Sequence, residues 1–206
     1  MTNTLFTRAT LITPLEVIHD GSLLVENGVI TALSRAEKVA ASEGVDHVDC
    51  GGKILAPGLI DSHIHGSIGF DFMTAEEADM RALLRWLAGR GITAVLPTLS
   101  ASPVMEMRTG MGRIRAVMEH PQQGEAKILG IHLEGPFLNK EKRGAQLESA
   151  IQPASVEILE TLMDGFEDIV RLMTLAPEYE HALEVIEWLT SRGIAASLGH
   201  SMATYA

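Results

Sequence analysis

The residues best suited to chemistry fall in three short runs. Asp61-Ser62-His63-Ile64-His65-Gly66 sets two imidazoles two positions apart. Ile131-His132-Leu133-Glu134-Gly135-Pro136 ends an apolar run in a carboxylate, and Ser197-Leu198-Gly199-His200-Ser201 ends another in an imidazole. On a strand, side chains two apart share a face, so His63 and His65 can both offer nitrogen to one ion at about 2.0–2.1 Å. Asp61 shares that face and is placed to support an imidazole from behind. Gly135-Pro136 turns the backbone away after Glu134, leaving a carboxylate that is costly to desolvate unless it is paired or bound to metal. Such a carboxylate can bridge two cations. His132 shares the face of Glu134 and is read as structural or supporting, not as a ligand. Gly199 permits close backbone approach beside His200. His19, His47, His120 and His181 fall elsewhere and are assigned no function. The chemistry these runs offer is capture of a divalent cation.

Something must bring the three runs to one place. Residues 1–56 read as short strands at 5–12, 21–26, 29–33 and 45–49, with Asn27-Gly28 as a hairpin turn because both positions tolerate positive φ. From Pro57 the texture becomes strand, loop, helix, repeated. Strands are expected at 59–65, 94–99, 128–133, 170–175 and 194–198. Helices are expected at about 74–89, capped by Thr74, then 102–120, 154–163 and 179–191. The strands are continuous apolar runs, as in a parallel sheet covered on its outer face. Polar residues gather at the C-terminal ends of all of them, which is the signature of a barrel mouth. The fold class expected is therefore α/β: a partial (β/α)8 TIM-like barrel of about five β/α units (57–206), preceded by a small β-sandwich-like unit (1–56). A complete barrel takes roughly 250 residues, so the chain is expected to be truncated relative to its fold. An open arc leaves unpaired edges that favour a homo-oligomer.

Composition narrows the partners. A formal net charge of -11 argues against nucleic acid, which needs clustered Lys and Arg. For an anionic substrate the same charge requires a local cation to reverse the sign. The lone Cys50 excludes an internal disulfide and a Cys-rich zinc site, and suits a reducing cytoplasm. No basic head precedes an apolar run at the start, and no apolar stretch reaches membrane-span length. A soluble cytoplasmic protein with no membrane partner is expected.

Leu55-Ala-Pro-Gly-Leu-Ile-Asp61-Ser-His63-Ile-His65-Gly66 resembles the entry strand of the amidohydrolase superfamily. Gly130-Ile-His-Leu-Glu134-Gly-Pro-Phe137, Thr174-Leu-Ala-Pro-Glu178 and Gly199-His200-Ser201-Met-Ala-Thr204 resemble, in order and spacing, the N-acetylglucosamine-6-phosphate deacetylase family. The resemblance covers essentially the whole chain. It implies a hydrolase that uses metal-activated water to cleave the N-acetyl amide of a small amino-sugar phosphate. Glu134 and His200 would be metal ligands, and His63 and His65 would supply a second metal position that some members lack. The cofactor implied is a divalent metal, zinc or iron, as one or two ions. Arg143-Gly-Ala145-Gln146 matches a substrate-contacting loop, with Gln146 where some members carry His. The family's catalytic aspartate and a further metal histidine would lie beyond residue 206, so no catalytic residue is assigned within the chain. The rival readings are a dihydroorotase-like enzyme, a deacetylase for another sugar such as N-acetylgalactosamine 6-phosphate, or a non-catalytic fragment.

Overall fold

A computed structural model describes residues 3–35, 39 and 44–205. The chain divides into two compact units, Met1–Gly58 and Leu59–Ala206.

In the first unit, β1 (Thr4–Ile12), β2 (Val17–Glu26) and β3 (Val29–Arg35) form an antiparallel meander. The Asn27-Gly28 turn joins β2 to β3 with φ of 53° and 80°. Positive φ at both positions is the hairpin geometry whose twist matches the strands it joins. β4 (Asp46–Asp49) and β5 (Ile54–Leu55) run parallel along the other edge of β1. Ala9, Leu11 and Ile18 make a small core, with Leu23, Cys50 and Leu55 packed on it.

The second unit is a curled parallel sheet with its helices on the outer face. Its first strand is β6 (Leu59–Ile64), followed by a small ribbon of β7 (Gly66–Ser67) and β8 (Phe70–Asp71), then α1 (Glu77–Ala88). β9 (Ile92–Ser100) and α2 (Val104–Met118) come next. β10 (Lys127–Ile128) and β11 (Ile131–Glu134) are two pieces of one strand, both pairing with β9. α3 (Val156–Met163), β12 (Val170–Leu175), α4 (Ala182–Ser191) and β13 (Ala195–Leu198) complete it. The lateral order β6, β9, β10/β11, β12, β13 follows the chain, so the sheet is a five-strand half-barrel.

Four helices of 8 to 15 residues are marginal by themselves in water, so their apolar stripes must hold them. α1 buries Met80, Leu83, Leu84 and Leu87, and α2 buries Met107, Met111, Ile114 and Val117. These spacings of three and four lay each stripe along the outer surface of the sheet. The start of α1 differs from expectation. Glu76 is the N-cap and makes no side-chain cap bond, while the Thr74 N–H donates to the Asp71 carbonyl. The β7–β8 ribbon, unread in the sequence, holds Thr74 in a turn and delays the helix. Ser155 does cap α3, accepting from the Ile158 N–H at 3.3 Å.

The break between β10 and β11 falls at Leu129-Gly130. Gly130 has φ of 153°, and a Cβ there would sit 2.6 Å from the Ile169 carbonyl oxygen, which itself accepts from the Ile131 N–H at 2.8 Å. Only glycine lets the chain entering β12 approach so closely here, where the β11–β12 ladder shifts register between Ile131 and His132. Gly130→Ala should therefore destabilise the unit by roughly 1–3 kcal/mol. The expected result is a lower urea midpoint with an unchanged slope; an unmoved midpoint would refute the close-approach account.

Candidate metal centre

The polar strand ends meet at the C-terminal rim of the half-barrel, starting from an irregular edge. The β6–β9 ladder shifts register twice, between Leu59 and Ile60 and again between Asp61 and Ile64. Asp61 Oδ1 accepts from the His63 N–H at 3.1 Å, and the Thr98 hydroxyl accepts from the Ile64 N–H at 2.9 Å. Asp61 therefore stabilises the bulge through the backbone. The alternation that would put its carboxylate behind an imidazole is broken at that point.

Below the rim, a polar rung crosses the sheet. His132 is 1% exposed, and its ring nitrogens face the Thr98 hydroxyl at 3.2 Å and the Thr174 hydroxyl at 2.8 Å. The His63 ring stands edge-on to it, with centroids 4.8 Å apart. Burial first, and the neighbouring His63 charge second, push His132 down to about 4, so it stays neutral and fixes the ring above it. This suits the supporting role read for His132 in the sequence.

Glu134 is the hub. Its side chain is only 6% exposed, yet its carboxylate has four neighbours. Oε1 lies 2.9 Å from His200 Nε2 and 3.4 Å from His63 Nε2. Oε2 lies 3.0 Å from His65 Nε2 and accepts from the Gln146 amide nitrogen. The two imidazoles of the His-x-His run face each other at 3.3 Å between their Nε2 atoms. Donor atoms of His63, His65 and Glu134 all fall within 4.8 Å of one another. His200 touches Oε1 of the same carboxylate, the oxygen that His63 also faces, and stands outside that group of three. The structure thus gathers His63, His65, Glu134 and His200 on one carboxylate, from the ends of three strands.

The donor set fits a cation, for a reason of proton accounting. His200 Nδ1 faces the Lys142 carbonyl at 2.8 Å, and its Nε2 faces Glu134. Both partners only accept, and a neutral imidazole carries one proton. With that proton on Nδ1 toward the carbonyl, Nε2 meets the Glu134 carboxylate favourably only when it carries a second proton or a cation. A cation on Nε2 removes the conflict. Ser100 orients His65 in a similar way, its hydroxyl 3.1 Å from Nδ1.

The cleft beside this cluster has a volume of about 430 Å³. It is lined by Ser100, Ser102, Ala145, Gln146 and Leu147 together with His65, Glu134 and His200. Ala145 lies on its wall. Gln146 spends both ends of its amide within the protein: its oxygen accepts from the Ala101 N–H at 2.9 Å, and its nitrogen donates to Glu134. That inward role was not legible in the sequence. Nor were Ser100 and the Lys142 carbonyl, although Thr98, His132 and Thr174 are signalled by falling at corresponding strand ends.

Burial pushes the Glu134 carboxyl up, but hydrogen bonds from His65 and His200 and the charge of His63 outweigh it and hold it at about 2. The Glu134 carboxylate in turn raises His65 above its ordinary 6.5, against burial. A raised folded value means that the His65 contribution to stability is full below 6.5 and is lost as pH rises through that value. The Glu134 contribution is present above 4.5 and is lost as pH falls through about 2. In chelator-treated protein the urea midpoint should therefore decline toward both extremes, and Glu134→Gln should flatten both limbs. A pH profile unaltered by that substitution would disprove the coupling.

No family model matches the chain. Curated relatives do. The chain is 41% identical over 160 residues to N-acetylglucosamine-6-phosphate deacetylase of Homo sapiens, covering 75% of this chain and 39% of that protein. It is 36% identical over 180 residues to the enzyme of that name from Vibrio furnissii (87% and 44%), and 32% over 198 residues to that of Bacillus subtilis (94% and 49%). Among solved structures, N-acetylglucosamine-6-phosphate deacetylase from Pasteurella multocida superposes with a TM-score of 0.86 at 29% identity, covering 98% of this chain and 52% of that one. A mutant of the Mycobacterium smegmatis enzyme in complex with N-acetyl-D-glucosamine-6-phosphate gives 0.85 at 26% identity, covering 100% and 51%. The chain spans about half the length of the relatives it matches. By sequence and by fold, the chain is similar to the N-acetylglucosamine-6-phosphate deacetylases along the part of their length that it covers.

Proposed function

We propose that the chain carries part of the active site of a metal-dependent deacetylase acting in cytoplasmic amino-sugar catabolism. The reaction is hydrolysis of the N-acetyl amide of N-acetylglucosamine 6-phosphate to glucosamine 6-phosphate and acetate. One observation carries this reading: a buried carboxylate, Glu134, contacted by His63 and His65 from the end of β6 and by His200 from the end of β13. In this assignment His63 and His65 hold one ion and His200 another, with Glu134 between them. The ion is zinc or iron, as one or two equivalents.

When bound, the metal supplies Lewis-acid polarisation of the amide carbonyl and acidifies a water molecule. The protein's own groups prepare for that. Glu134, held at about 2, is an anion throughout the neutral range, with Oε2 toward His65 and Oε1 toward both His63 and His200. Ser100 and the Lys142 carbonyl fix the ring faces of His65 and His200. Ala145 and Gln146 are assigned to substrate contact from their place on the cleft wall, the Gln146 amide nitrogen having a second N–H besides the one given to Glu134. A cleft of about 430 Å³ accommodates a small molecule of this size. By the resemblance, proton transfer would fall to an aspartate that no residue of this sequence matches.

Zinc titration of the purified chain, followed by calorimetry, should show stoichiometric binding that His63→Ala or Glu134→Ala abolishes or weakens. Undiminished binding by both variants would sink the ligand assignment. Acetate release from N-acetylglucosamine 6-phosphate, assayed beside a complete relative, should be slower for this chain by a factor of at least roughly 10²–10⁴, the contribution of a general acid-base. Comparable turnover by the two would show that the proton-transfer group lies within the chain after all.

A further inference from the structure

We propose that Glu178 is a positioning residue for His200, acting by clamping the two segments that fix the imidazole. The function of His200 rests on the metal-site reading above, whereas the clamp stands on geometry alone. His200 has φ of 50°, in the left-handed region, which is strained for a non-glycine residue and persists only where the surroundings impose it. The surroundings do so from two sides. The Asn139 N–H donates to the His200 carbonyl at 2.9 Å. The Asn139 side-chain oxygen caps the 3₁₀ turn Lys140–Lys142 through the Glu141 N–H at 2.9 Å, and that turn ends in the Lys142 carbonyl that accepts from the His200 ring.

Glu178 joins these two sides. It follows β12 on a loop, and its carboxylate takes three hydrogen bonds, all from segments bearing on His200. Oε1 accepts from the Asn139 amide at 2.8 Å and from the Met202 N–H at 2.8 Å, and Oε2 accepts from the Ser201 hydroxyl at 2.7 Å. Bonds to an ionised acceptor are about twice as strong as neutral ones, which suits a clamp on an exposed loop. Through Asn139 the carboxylate governs both the backbone and the ring of His200. Through Ser201 and Met202 it holds the chain immediately beyond. Glu178 touches no atom of the cation-binding cluster, so its influence on that cluster passes through His200.

Two measurements on the full chain test this. In the first, metal-free protein is examined by ¹⁵N NMR of the His200 ring. Wild type should show the Nδ1–H form protected by the Lys142 carbonyl, and Glu178→Ala should lose that protection while the far-UV circular dichroism is retained. Unchanged ring signals would overturn the clamp. In the second, zinc affinity is measured in a double-mutant cycle. Glu178→Ala should weaken binding roughly 10- to 100-fold in the wild-type background and leave it unchanged in the His200→Ala background. Glu178→Gln, which keeps a carbonyl acceptor for Asn139 and Met202, should recover most of the loss. An equal loss in both backgrounds would mean a general structural role and refute the proposal. If wild type binds no zinc, the metal reading fails and the NMR result alone decides the clamp. Should Glu178→Ala not fold, Ser201→Ala replaces it in both measurements, with a smaller effect in the same direction.

Discussion

The second unit is organised around one interaction, the burial of the Glu134 carboxylate among imidazoles. An ionised carboxylate in a nearly dry position is tolerated only when its oxygens are saturated by donors or cations. Saturating it takes His63 and His65 from β6, His200 from beyond β13, and Gln146 from the loop after β11. Each of those side chains then needs its own restraint. Ser100, the Lys142 carbonyl and the Ala101 N–H supply these, so the demand of one carboxylate propagates through most of the rim.

The restraints are layered. The rung of Thr98, His132 and Thr174 is buried under the site and neutral, so it adds rigidity without competing for the charge above it. Thr98 also takes the Ile64 N–H released by the bulge in β6, which ties the position of the His-x-His run to the sheet floor. The alternative, a regular β6, would have kept Asp61 and His63 in phase and left the strand end flatter. The irregularity appears where the strand must present two imidazoles to one oxygen pair.

Much of this was legible in the sequence, for identifiable reasons. Continuous apolar runs separated by helical stripes at three- and four-residue spacing specify a parallel sheet with its helices outside, and Asn27-Gly28 specifies its hairpin by φ preference alone. Paired histidines and a carboxylate before Gly-Pro stand out because such groups at strand ends are costly without a partner. What escaped reading depends on contacts between segments far apart in the chain. Glu178 meets Asn139 across 39 positions, and Gln146 reaches Glu134 only after the loop has folded back. The Thr74 cap failed for a related reason, since a two-residue ribbon has no periodicity to detect. The bulge at Ser62-His63 is likewise a local choice that strand alternation cannot foresee.

The distribution of the donors over β6, β11 and the end of β13 has a mechanical side. These strands are first, third and fifth across the arc, and no backbone ladder joins them to each other directly. A cation held by all of them would act as a rivet across the curvature, binding the assembled arc and not the unfolded chain. Whatever loosens the sheet would then loosen its grip on the ion, and the ion's residence time becomes a gauge of how firmly the strands stay curled.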